Sequence, residues 1–128
     1  MNNGTDRDVA MIMLDTFTAI DSALSTINTN LFAATIINQP VDAVGDLGDE
    51  VTFTVGAANA TAYKWYYKLI TAPESAWEAT TAAGNNTKTI TVTITEQRLL
   101  YTYRCRVKGI DGNYVYSNPV VMTLNETT

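Results

Sequence analysis

Two hydrophobic periods meet near Ala33. From Met13 the apolar residues Met13, Phe17, Ile20, Leu24, Ile27 and Leu31 step by 4, 3, 4, 3 and 4, the spacing of a heptad seam along an α-helix. Ala10 extends the seam backwards. Thr5 or Asp6 can cap the first turn, where Asp6 and Asp8 sit favourably against the positive end of the helix dipole. The pattern predicts a helix from about Asp6 to Asn30. Ala10, Phe17, Leu24 and Leu31 at one seam position, with Met13, Ile20 and Ile27 at the other, give an order that leans toward three or four strands, a trimer leading narrowly. The alternative is an amphipathic helix folded back on its own domain. Against it stand Met11 and Ile12, which widen the apolar face, and the completeness of the chain that follows.

From Thr35 onward the period is two. Val51, Phe53 and Val55 alternate with threonines, as do Ile90, Val92 and Ile94. Tyr63, Trp65 and Tyr67 alternate with Lys64, Tyr66 and Lys68, and Tyr101, Tyr103, Cys105 and Val107 with Thr102, Arg104, Arg106 and Lys108. The Asp111-Gly112 turn leads into a last strand around Tyr114 to Leu124. Gly45 to Gly48, Gly56 to Asn59, Ala72 to Ser75 and Gly84 to Asn86 read as the connecting turns. The expected fold class is mainly β: an antiparallel sandwich at 34–128 preceded by a helix at 1–33 that oligomerises or attaches.

Composition narrows the chemistry. The 128 residues suit one core, and 46% hydrophobic against 16% charged residues is enough to fill it. Thirteen acids against eight bases leave a net charge of -5, which opposes binding to nucleic acid or an anionic membrane surface. With no histidine and one cysteine, the commonest general base and zinc ligand are missing and no intrachain disulfide can form. No enzyme, cofactor or metal site is expected. The start MNNGTDRD lacks a basic n-region, and no apolar run reaches the ~18–20 residues of a bilayer span, so a cytosolic origin without a signal peptide and without membrane insertion is expected.

Lys64, Tyr66, Lys68, Arg104, Arg106 and Lys108 should share the outer face of one sheet, joined by Tyr114 or Tyr116 depending on register. Such a face suits a glycan or an anionic cell-wall polymer, with rings stacking on sugars and cations meeting phosphate or carboxylate. The leading reading is plainer: outward lysines and arginines keep a sheet soluble, with Glu74, Glu78 and Asp111 near enough to compensate them. Asp49-Glu50 and Asp42/Asp46 read as solvated turn residues rather than an acid/base pair or a calcium site. The sequons Asn59-Ala60-Thr61 and Asn85-Asn86-Thr87 read as loop residues.

Several landmarks then fall in order. Ile36-Ile37-Asn38-Gln39-Pro40 precedes Gly48-Asp49-Glu50-Val51-Thr52-Phe53-Thr54-Val55, followed by Tyr63-Lys64-Trp65-Tyr66-Tyr67, Trp77, and Tyr101-Thr102-Tyr103-Arg104-Cys105. From Thr35 to Leu124 the chain resembles bacterial and phage immunoglobulin-like domains. The resemblance implies a core tryptophan at Trp65, a tyrosine corner at Tyr103 and, with Val55 in place of the first cysteine, a buried free thiol at Cys105. Joined to the oligomer-type helix, it implies a non-enzymatic virion protein of a tailed phage, a capsid decoration protein or head fibre. Its partners would be capsid or other virion proteins, copies of itself and host-surface glycans. A tail or baseplate component and a bacterial carbohydrate-binding adhesion module are the rivals.

Overall fold

The computed structural model describes residues 31–125, and the chain divides into two units between Phe32 and Ala33. The helix expected from Asp6 to Asn30, with the seam positions Met13, Phe17, Ile20, Leu24 and Ile27, lies outside the described residues. The described chain is mainly β. Its strands are β1 (Thr35–Asn38), β2 (Ala43–Gly45), β3 (Glu50–Thr54), β4 (Gly56–Ala58), β5 (Ala60–Leu69), β6 (Glu78–Ala79), β7 (Thr89–Thr93), β8 (Tyr101–Gly109), β9 (Tyr114–Tyr116) and β10 (Val120–Leu124).

One sheet runs in the order β2-β10-β8-β5-β6, with β9 also paired to β8. Its pairs are antiparallel except β2 with β10, which are parallel. The pairs β3–β7 and β1–β4 are antiparallel as well. Only Val55 separates β3 from β4, and its N–H donates to the Lys88 carbonyl at 2.9 Å, which carries backbone pairing across the gap. The alternation read from the sequence fills the core from both sets of strands. Phe53, Val55, Ile90, Val92 and Ile94 meet Trp65, Tyr103, Cys105, Val107, Val120 and Met122, all buried, and removing this apolar surface from water is the main force holding the strands together.

The expected turn at Gly56 to Asn59 is a strand instead. Gly-Ala-Ala carries little strand propensity, but β1 lies alongside and supplies ladder partners, pairing Thr35 with Ala58 and Ile36 with Ala57. The bend is left to Asn59, whose φ of 60° is the left-handed conformation that asparagine tolerates.

The expected last strand, Tyr114 to Leu124, is broken in two. Along β8 three residue steps separate Arg106 from Tyr103, whereas four separate their partners Tyr116 and Val120, so one residue bulges out. Ser117 marks the place: its N–H donates to the Cys105 carbonyl at 2.8 Å and its Oγ accepts the Cys105 N–H at 2.9 Å. Pro119, with no N–H of its own, follows. Because side chains alternate with a period of two, the extra residue inverts the facing of the chain. Tyr114 and Tyr116 are exposed before it, and Val120 and Met122 are buried after it.

Trp65 is fully buried, and its indole N–H donates to the Thr87 carbonyl at 2.8 Å. Gly84, at φ 84°, turns the 84–87 loop onto it, and a Cβ there would collide with the Thr89 carbonyl. Cys105 is a free buried thiol pushed by burial up to about 12. Tyr103 stacks on Phe53 with centroids 5.8 Å apart. Among the described residues its hydroxyl has no hydrogen-bond partner, so the bond of a tyrosine corner is not made.

Candidate ligand-binding face

Strands β5 and β8 form the longest ladder, aligning Lys64 with Arg106, Tyr66 with Arg104, Lys68 with Thr102 and Ala62 with Lys108. With Trp65 and Cys105 turned inward, the six expected face residues share the opposite side of the sheet. The bulge adds both Tyr114 and Tyr116, where the sequence left one or the other open.

These side chains interleave. The Arg104 guanidinium lies between Trp77 and Tyr116, its carbon 4.4 and 4.2 Å from the ring centroids. Arg106 lies between Tyr66 and Tyr114, at 5.3 and 4.2 Å. Lys64 stands 5.8 Å from the Tyr66 ring. A planar, weakly hydrated guanidinium is well suited to such stacking. Trp77 was not among the expected face residues. It follows a 3-10 turn at Glu74–Ala76, outside any alternating pattern that would have assigned it a side.

The face has two ends of different character. At the Trp77 end the charges are committed. Glu74 Oε2 accepts the Trp77 indole N–H at 2.9 Å and lies 3.8 Å from Arg104 Nη1, while Arg104 Nε is buried without a partner. Lys68, expected as a ligand-face cation, is withdrawn. Only 7% exposed, it donates from Nζ to the carbonyls of Leu69, Ile70 and Ala72 at 3.2, 3.4 and 2.9 Å and stands 5.4 Å from the Trp77 ring. Its ammonium closes the turn after β5 by satisfying carbonyls that the ladder leaves over.

At the other end the charges are uncommitted. Glu78 accepts from the Tyr67 hydroxyl at 3.3 Å, and burial, followed by the charge and hydrogen bond of Glu78, raises the Tyr67 pKa. Asp111 holds the N–H and side-chain amide of Asn113 at 3.0 and 3.2 Å. Neither compensates the basic face, so among the described residues the charged groups of Lys64, Arg106 and Lys108 have no ion-pair partner and no hydrogen-bond acceptor. They border a cleft of about 330 Å³ with Tyr63, Asn86 and Tyr114.

A second cavity of about 280 Å³ is lined by Tyr67, Arg98, Tyr101 and Tyr103, among others. Its donors are partly engaged: Gln97 Nε2 donates to the Tyr101 hydroxyl at 3.0 Å and Arg98 Nη1 to the Thr93 carbonyl at 3.0 Å. Three of the four carboxylates read as solvated turn residues have structural tasks, Glu50 being the exception. Asp42 accepts the Val121 N–H at 2.9 Å, Asp49 accepts the Asp46 N–H at 2.9 Å, and Asp46 accepts the Asn125 side-chain amide at 3.3 Å. Among the described residues no cluster of three or more acidic, cysteine or histidine side chains is placed to hold a metal, and no helix is long and apolar enough to cross a membrane.

No protein-family model matches the chain, and no curated protein does. Among solved structures it is similar to the crystal structure of Rst D1-D2, at 13% identity and a TM-score of 0.48, over 72% of this chain and 49% of that one. The chain thus spans about half the length of that structure, a likeness too distant to carry an argument about fold or function.

Proposed function

We propose that this chain is a non-enzymatic virion protein, a capsid decoration protein or head fibre, whose residues 1–33 attach or oligomerise and whose immunoglobulin-like sandwich is displayed outward. The observation that carries the reading is the reduced core. Cys105 is buried as a free thiol in one cluster with Trp65 and Val55, so the domain closes without a disulfide, as suits a shell protein assembled in a reducing cytosol. The sharing of the first strands between layers also supports an immunoglobulin-like arrangement: β1 pairs with β4, whereas β2 pairs with β10.

The attachment element rests on the sequence seam of Met13, Phe17, Ile20, Leu24, Ile27 and Leu31, with a trimer as the favoured state. Gold-labelled antibody on intact particles tests the reading. Label on the capsid is the expected result. Label confined to the tail would transfer the protein to the tail or baseplate, and absence from particles would overturn the virion role in favour of a surface adhesion module. Changing Ile20 and Leu24 together to Asp should abolish both self-association and particle attachment, because unpaired carboxylates are very unfavourable in an apolar seam.

A further inference from the structure

We infer that the cleft between β5, β8 and β9 binds a saccharide carrying a carboxylate or phosphate. This deepens the display reading by naming a ligand class and a place for it, one end of the basic face rather than the whole. The chain is acidic overall, at net charge -5, yet Lys64, Arg106 and Lys108 gather around one cleft of about 330 Å³. The nearby acids are occupied elsewhere: Glu74 faces Arg104 and Trp77, Glu78 faces Tyr67, and Asp111 faces Asn113.

The donor inventory selects the ligand. Two ammonium groups and a guanidinium donate without accepting, and the Asn86 amide and Tyr114 hydroxyl, both of which can donate, border the same cleft. Such a site favours an acceptor-rich, anionic group. Arg106 is held in place by the Tyr66 and Tyr114 rings, so its N–H edge is oriented before any ligand arrives, which lowers the ordering cost of binding. The volume lies at the small end of the ~300–1,000 Å³ range of ligand pockets, matched to one or two sugar units. A nucleic acid is disfavoured: three cations release few counterions, and the net negative charge repels an extended polyanion.

Titration of the purified full chain with a galacturonate oligomer, a hexose-phosphate oligomer, a neutral hexose oligomer and a twelve-nucleotide single-stranded DNA tests the inference. Expected is saturable binding of one or both anionic carbohydrate probes, weakened by salt, with the neutral oligomer and the DNA at least tenfold weaker; the two anionic probes decide between carboxylate and phosphate. Lys64→Gln with Lys108→Gln should weaken binding about tenfold or more. Arg98→Gln, which removes one positive charge outside the cleft, should change it less than twofold. DNA binding as tight as the anionic oligomers, an unchanged affinity in the double variant, or no binding of either anionic probe at millimolar concentration would each overturn the inference. These outcomes are independent of where the protein sits on a particle, so failure here is distinguishable from failure of the virion role.

Discussion

The two faces of β5 and β8 are built from the same strands by alternate residues, yet they are held by different physics. The inner face is apolar and closed at its centre: Trp65, Cys105 and Val107 are fully buried, and the Trp65 indole hydrogen bond runs to a carbonyl. The outer face alternates cation and ring, Arg104 between Trp77 and Tyr116 and Arg106 between Tyr66 and Tyr114. Burial on one side stabilises through area and fit, whereas each contact on the other is weak, partly hydrated and sensitive to its neighbours. Stability should therefore depend mainly on the inner face and ligand chemistry on the outer one.

Truncation separates the faces most sharply. Trp65→Ala should cost about 3–5 kcal/mol in urea unfolding, as large aromatic truncations in cores do, whereas Tyr66→Ala should cost about 1 kcal/mol. A near-neutral Trp65→Ala would remove the contrast altogether.

Alkali should attack the inner face next. Cys105 is raised from 9.0 to about 12 and Tyr103 from 10.0 to about 12, both chiefly by burial. In each case the unfolded chain loses its proton first, so the stability contributed is complete below the unfolded value and is lost as pH rises through the folded one. Stability should fall from about pH 9 toward pH 12, and Cys105→Val should flatten the early part of that fall. Equal slopes for the two proteins would show that the thiol is not protected by the fold.

Within the outer face, the committed end should matter more than the open one. Lys68→Met takes the donor from the Ile70 and Ala72 carbonyls, while Leu69 keeps the Ala72 N–H, and should cost about 1–2 kcal/mol. A double-mutant cycle of Trp77→Ala with Arg104→Gln should show a smaller coupling, about 0.5–1 kcal/mol. Lys108→Gln, at an exposed position, should stay within about 0.5 kcal/mol of wild type. Thermal or urea unfolding of all three orders them, and a Lys108 effect as large as that of Lys68 would erase the difference between the two ends.

The main alternation was legible because half-buried strands write their facing directly into the chain: Phe53, Trp65, Ile90, Val92 and Cys105 all lie where a period of two puts them. What was not legible depended on partners distant in sequence. Gly56–Ala58 becomes a strand only because Thr35–Asn38 lies beside it, and Lys68 leaves the ligand face only because the backbone from Leu69 to Ala72 turns its carbonyls toward Nζ. Trp77 escaped because a residue outside regular structure has no period. The face of Tyr114 and Tyr116 turned on a single bulged residue, which Ser117-Asn118-Pro119 marks in hindsight through a side-chain acceptor and a missing N–H.

The parallel pairing of β2 with β10 has a mechanical consequence. Met122 faces Ala43 and Leu124 faces Gly45, and the junction is reinforced where Asn118 N–H reaches the Gln39 side chain at 2.8 Å and Asn125 N–H reaches the Gly45 carbonyl at 2.9 Å. Tension applied before β2 and after β10 draws these strands past each other along their length, so their cross-links bear the load together in shear rather than opening one at a time. Stretched between handles placed just before β2 and just after β10 in a force spectrometer, the domain should yield in one abrupt rupture at β2–β10, and a gradual opening would show that the load runs elsewhere. A domain built this way can hang from one attachment point and be pulled at the other without first losing its edge.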